Sequence, residues 1–380
     1  MANVPDTIQT WQMVQPWTRD KETGEKTPGV LELTSIPAPE LAEGEVLVEI
    51  AGCGVCHTDL GYFYHGVPTV NKPPLTLGHE ISGRVVAGDA GWLGKEVIVP
   101  AVMPCNNCPI CAAGRGNRCL KQKMPGNSLG VYGGFSSHIP VPAADLCVVP
   151  PPAPLPAGGI EGGRSIPLEW LAVVADAVTT PYQAVTRADV QAGDRVVVVG
   201  AAGGVGAYVV QVAKAFGAGT VVGVDVHQEK LERSLEYGAD FIINATGKSA
   251  KDVRNEFRAL CKENGLPHNY GWKIFEVTGA RGGQEISLAL LSFVGKLIWV
   301  GFSSNVNEYS LSRLMAFDAE IIGTWGCLPK YYPDALQMVL DGRIQIEPFV
   351  ETRPMSTIRE TFERAHAGKL TRRVVLTPDF

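Results

Sequence analysis

No stretch of the chain approaches the ~20 consecutive apolar residues that a bilayer crossing needs. Residues 1–6 also lack the basic-then-apolar run of an export signal, so a cytoplasmic protein without membrane partners is expected. Dense basic runs are missing too: 33 Lys and Arg stand against 39 Asp and Glu, a net charge of −6, which argues against nucleic acid. Charged residues make up only 19% of the chain and hydrophobic ones 45%, too little charge and too much apolar material for wholesale disorder. The nine cysteines are odd in number and clustered, so metal ligation fits better than a disulfide framework. At 380 residues the chain exceeds one comfortable core, and two domains are the expectation.

Residues 46–149 carry short β-type runs, such as 45–50 and 97–99, broken by Gly, Pro and Asn. Residues 150–163 are too rich in Pro and Gly for a helix or central strand and read as an exposed loop. Ser165 and Pro167 then offer a helix start for residues 168–177. From Arg195 onward the texture changes. Apolar runs at 196–199, 221–224, 241–243, 274–277 and 297–300 alternate with helical patterns, among them 205–216 closed by Gly217 and 228–237 closed by Gly238. Fully apolar strands alternating with helices predict a parallel sheet covered on both faces.

The apolar run 196–199 leads into Gly200, Gly203, Gly204, Val205 and Gly206 at a helix start, the order that a dinucleotide pyrophosphate needs. Asp225 follows 19 residues after Gly206, at the end of the next strand, where its carboxylate would bond both adenosine ribose hydroxyls and repel a 2′-phosphate. NAD is therefore expected rather than NADP. The plainer reading is that the glycines only permit tight strand-to-helix packing. His227 and Lys230, just beyond, either touch the adenosine edge or remain solvated.

Cys105, Cys108, Cys111 and Cys119 fall within fifteen residues among Pro, Asn and Gly. Four thiolates make a closed tetrahedral zinc site with no place for substrate, hence a structural one; free thiols or an iron–sulfur cluster are the alternatives. Cys56 and His79 are a start toward a catalytic zinc, which needs a third ligand and an open fourth position. Cys53 and Cys56 alone also read as a redox dithiol, although the usual thioredoxin-like helix is not apparent.

Residues 52–59 (Gly-Cys-Gly-Val-Cys-His-Thr-Asp), Gly78-His79-Glu80, the four-thiol segment and Gly203-Gly204-Val205-Gly206 together resemble the zinc-dependent medium-chain alcohol dehydrogenases, in order and over nearly the whole chain. The resemblance implies an α/β protein. A GroES-like, mainly-β catalytic domain would occupy residues 1–187, with 324–380 returning to it, and a doubly wound Rossmann domain binding NAD would occupy 188–323. It also implies two zinc ions, one structural on the four thiols and one catalytic on Cys56, His79 and Asp176, the last at a position often held by cysteine. Thr58 would take the substrate proton, Asp59 would orient His79, and Glu80 would stand beside the metal or bind it transiently. His57 and Thr180 match positions that contact pyrophosphate and nicotinamide. The histidine that commonly ends the proton relay is here Gly61, leaving the cofactor ribose and water, or His65, to end it. A homo-oligomer is a further family expectation.

Residues 61–77, 122–130 and 323–333 resemble more narrowly the members that act on a cyclic hydroxyacyl-CoA in anaerobic breakdown of aromatic compounds. The expected partner is then a small-molecule alcohol of that kind, with Tyr62, Phe63 and Tyr64 able to line a ring pocket. A zinc dehydrogenase of another alcohol or polyol, and a zinc-free quinone or enone reductase, are the alternatives.

Overall fold

The computed structural model describes residues 5–151, 166–303 and 306–380, which divide into two compact units. The first comprises residues 5–151, 166–176, 326–337 and 346–380; the second comprises 177–303, 306–325 and 338–345. The sequence reading had put the boundaries at 187/188 and 323/324. Most of the expected loop at 150–163, and Ser165, lie outside the described residues. Among the described residues no helix is long and apolar enough to cross a membrane.

In the first unit, Glu45–Gly54 is the spine of the larger sheet. Glu80–Ala87 and His138–Pro142 pair antiparallel with it, and Glu96–Val99 continues the sheet beyond Glu80–Ala87. The final strand, Arg373–Thr377, also joins the spine, placing Val375 opposite Gly54 and Leu376 opposite Cys53. A separate sheet orders Val30–Pro37, Thr7–Gln15 and Leu75–Thr76. Val46, Val48, Ile81, Val97, Phe135, Ile139 and Phe362 fill the core, which is why these strands stay short and apolar on their inner faces.

The second unit is a six-stranded parallel sheet in the order Phe241–Asn244, Thr220–Asp225, Arg195–Val199, Trp272–Glu276, Lys296–Trp299 and Glu320–Gly323. Val196 to Val199 are at most 2% exposed, as expected of a central strand covered on both faces. The chain winds outward in one direction from Arg195–Val199, then crosses back to Trp272–Glu276. That reversal marks the crevice where doubly wound sheets bind ligands at strand carboxyl ends.

Residues 168–177 differ from the expected α-helix. Leu168–Ala175 is a 3-10 helix, and Leu171, Ala172, Val173, Val174 and Ala175 are all buried. The fully buried stretch Leu171–Ala175 is apolar throughout and offers no 3.6-residue period to favour the α form, and two adjacent valines restrict side-chain rotamers in it.

Candidate functional site

The four-thiol loop is built locally. Pro109 opens the short helix Pro109–Ala112 directly after Cys108, the 3-10 turn Gly116–Arg118 runs into Cys119, and Asn106 adopts a φ of 56° between the first two thiols. All four sulfurs lie within 4.8 Å of one another. Cys105 and Cys119 stand 3.3 Å apart, Cys108 and Cys111 3.5 Å, and Cys108 and Cys119 3.8 Å. Sulfurs at ~2.3 Å from a tetrahedral zinc are ~3.8 Å apart, so the cluster fits that ion. Backbone N–H groups of Cys105 and Lys121 each donate to the Cys119 sulfur at 3.2 Å. Those of Leu120 and Cys111 hold the Cys108 thiol down at about 6. Donors aimed at sulfur favour thiolate, the form that binds metal.

The second group is assembled from distant segments. Cys56, at the N-cap of the helix His57–Tyr64, meets His79, Glu80 and Asp176, and one ligand atom from each lies within 4.8 Å of the others. Asp176 Oδ2 is 3.6 Å from the Cys56 sulfur and 3.7 Å from His79 Nε2. Ligands at ~2.0–2.3 Å from a tetrahedral ion stand ~3.3–3.8 Å apart, so this trio also fits zinc. Its placement is over-determined. Tyr332, fully buried, donates from its hydroxyl to the Ala175 carbonyl at 2.5 Å and accepts from the Ala101 N–H at 3.0 Å, pinning the backbone beside Asp176. Asp59, also fully buried, accepts from the N–H of Cys56 and of Gly78, both at 3.0 Å, and its Oδ1 lies 3.4 Å from His79 Nδ1. Gly78 has a φ of +94°, and a Cβ there would stand 2.7 Å from the Cys53 sulfur, so no other residue turns the chain into His79 as easily.

The electrostatics favour a cation between these ligands. Burial opposes a charged imidazole at His79, yet Asp59, Asp176 and Cys56 outweigh it and hold its proton affinity well above the usual histidine range. A metal ion satisfies the same field while leaving the imidazole neutral. Glu80 is different. Burial raises its carboxyl pKa despite Arg373, whose Nε donates to Oε2 at 2.9 Å while Nη2 bonds Oε1. Each Glu80 oxygen thus accepts a hydrogen bond from Arg373.

In the second unit, Gly200, Gly203, Gly204, Val205 and Gly206 form the turn between Arg195–Val199 and the helix Gly206–Ala215. A Cβ on Gly206 would lie 1.9 Å from the Gly200 carbonyl oxygen, so only glycine permits this approach. Asp225 ends Thr220–Asp225 and accepts from the Ala202 N–H at 2.9 Å through Oδ2. Through Oδ1 it accepts from Val226 and His227 at 2.7 and 3.1 Å. The carboxylate is thus fixed against the glycine turn. Lys230 lies in the helix Gln228–Glu236 and Thr180 in Thr179–Arg187, both in this unit, whereas His57 is an exposed residue of the first.

Thr58 places its hydroxyl 3.7 Å from the Cys56 sulfur. At Gly61 a Cβ would meet Val67 Cγ2 at 3.3 Å, so Val67 covers the flank on which a relay histidine would project. His65 closes the same helix and its ring lies 5.2 Å from that of His366. Sequence reasoning missed Arg373 and Tyr332. Arg373 is 293 residues from Glu80, and the pairing of the last strand with Glu45–Gly54 that joins them has no local signal.

Residues 42–151 match the alcohol dehydrogenase GroES-like domain family, and residues 204–341 match the zinc-binding dehydrogenase family. An alcohol dehydrogenase of Geobacillus stearothermophilus is 31% identical over 355 residues, covering 91% of this chain and 95% of that protein. L-galactonate-5-dehydrogenase of Escherichia coli strain K12 is 28% identical, covering 87% and 89% respectively. The crystal structure of galactitol-1-phosphate dehydrogenase from Escherichia coli superposes with a TM-score of 0.80 at 22% identity, over 97% of this chain and 100% of that one, a likeness of fold. A GroES-like β unit joined to a doubly wound parallel sheet is the architecture of a dehydrogenase. The chain belongs to the zinc-dependent medium-chain alcohol dehydrogenase family.

Proposed function

We propose that the protein oxidises a secondary alcohol to a ketone with NAD, and that its substrate is 6-hydroxycyclohex-1-ene-1-carbonyl-CoA, giving the 6-oxo thioester in anaerobic benzoyl-CoA degradation. The observation that carries the reaction class is the convergence of Cys56, His79 and Asp176, with Glu80 tied to Arg373. When bound, zinc supplies Lewis acidity toward an alcohol oxygen, and NAD supplies the hydride acceptor. Cys56, His79 and Asp176 would hold the metal, and one thiolate, one carboxylate and a neutral imidazole would balance its charge. Asp59, 3.4 Å from Nδ1, would orient the imidazole so that Nε2 faces the metal. Thr58 Oγ1 would accept the alcohol proton while its own hydroxyl proton passes on to the cofactor ribose and water. Gly200 to Gly206 would cradle the pyrophosphate, and Asp225, held against that turn by the Ala202 N–H, would bond the adenosine ribose and favour NAD over NADP. Thr180 and Lys230 would contact the cofactor. Cys105, Cys108, Cys111 and Cys119 hold a second zinc that stabilises their loop.

The thioester is supported by the likeness of residues 61–77, 122–130 and 323–333 to enzymes of that substrate. In the first of these, the buried Tyr62 hydroxyl accepts from Asn127 Nδ2 at 2.6 Å, linking the first two segments. A polyol substrate is the second reading, favoured by the 28% identity to L-galactonate-5-dehydrogenase. Steady-state rates with NAD across cyclic hydroxyacyl thioesters, simple alcohols and polyols separate the two. A kcat/KM for the cyclic thioester at least about a hundredfold above every polyol is expected, a difference of ~2.7 kcal/mol in transition-state binding. The opposite preference assigns the enzyme to polyols.

A further inference from the structure

Folding brings the end of the helix His57–Tyr64 against His366, within the basic segment near the end of the chain. The helix His57–Tyr64 starts beside the zinc ligand Cys56 and is closed by His65; eight residues rise about 12 Å, so His65 lies one short helix away from the metal centre. There the Tyr64 ring stacks on His366 at 4.1 Å and 11°, and the His65 ring lies 5.2 Å from the same imidazole. His366 ends the helix Ile358–His366, and from Arg364 to Pro378 the chain carries Arg364, His366, Lys369, Arg372 and Arg373 with no acidic residue. Arg364 is matched by Glu360 at 3.5 Å, and Arg373 by Glu80. His366, Lys369 and Arg372 are exposed and form no ion pair among the described residues. Burial, with the charges of His366 and the exposed Lys26, lowers the His65 pKa, so this imidazole offers N–H donation rather than a fixed charge. In a chain of net charge −6 the basic segment is a local reversal of sign, and it belongs wholly to the unit that carries the metal ligands.

We propose that His65, His366, Lys369 and Arg372, with Lys26 at the edge, bind the phosphates of the CoA moiety while the acyl ring lies at the metal centre. The inference rests on the thioester reading above. The exposed cations Lys369 and Arg372 recognise phosphate oxygens by charge-assisted hydrogen bonds, the imidazoles of His65 and His366 add N–H donors, and the span of one short helix is within reach of a pantetheine arm.

The test compares the cyclic hydroxyacyl thioester of CoA with that of pantetheine, which lacks every phosphate, in the wild type and in a Lys369→Glu/Arg372→Glu variant. Both positions are exposed, so folding should survive, and thermal unfolding checks it. The expected result is a KM for the pantetheine thioester about tenfold or more above that of the CoA thioester in the wild type. The gap should largely close in the variant while kcat and the KM for NAD stay unchanged. Calorimetric binding of free CoA to the wild type, at least about fivefold weaker in the variant, is the readout independent of turnover. Equal KM values for the two carriers, or CoA binding that ignores the double substitution, overturns this inference alone and leaves the substrate assignment standing. Refusal of both thioesters by an enzyme that oxidises simple alcohols overturns the substrate assignment and this inference with it.

Discussion

The two metal-binding groups of the first unit are built in opposite ways. The four-thiol loop draws all its sulfurs from residues 105–119, orders them with its own backbone N–H groups, and leaves no ligand position free. The other group gathers Cys56, His79 and Asp176 over 120 residues, braces them with Asp59 and Tyr332, and sets beside them Glu80, which Arg373 holds. A closed set of identical soft donors resists exchange and stabilises a loop, whereas a mixed, braced and incomplete set leaves room for a substrate oxygen. Structure and chemistry are thus separated within one unit.

The sharpest way to break this contrast is Cys56→Ala. It is expected to lower kcat by at least about a thousandfold while far-UV circular dichroism and thermal unfolding stay near wild type. Cys105→Ala should do the reverse, lowering stability by several kcal/mol through lost metal binding while molecules that remain folded keep most of their activity. If Cys105→Ala is inert but stable and Cys56→Ala unfolds, the two groups have been assigned in the wrong order.

The legibility of the two groups follows from the same difference. Cys105, Cys108, Cys111 and Cys119 declare themselves by spacing alone, and Gly200 to Gly206 with Asp225 do so by a strand, turn and helix in sequence order. Alternating apolar runs also announced the parallel sheet, because strands covered on both faces must be apolar throughout. Cys56 and His79 were visible only as an incomplete set, and Asp176 entered through family likeness, since a lone carboxylate at the end of a helix has no distinguishing pattern. Arg373 was invisible, because its role depends on the last strand pairing with Glu45–Gly54. The 3-10 form of Leu168–Ala175 escaped for a related reason: the unbroken apolar run Leu171–Ala175 carries no period that separates helix types.

Two smaller effects sharpen the picture. Arg373→Ala removes the partner of a fully buried carboxylate and should cost about 3–5 kcal/mol of unfolding free energy in urea titrations, since the remaining charge is left uncompensated. An Arg373→Ala/Glu80→Gln double variant should recover much of that loss. If it does not, the pair contributes through packing rather than charge. Asp225→Ser is expected to raise the KM for NAD about tenfold and to narrow the preference over NADP, with kcat nearly unchanged. An unaltered NAD to NADP ratio would show that Asp225 serves only to tie the glycine turn.

The central claim is that an open, catalytic zinc site stands apart from a closed, structural one, and metal content tests it most directly. Elemental analysis of purified protein should give two zinc ions per chain, one for each ligand group. The Cys56→Ala/Asp176→Ala variant should give one and be inactive yet folded. One zinc in the wild type, or two retained by that variant, would contradict the account.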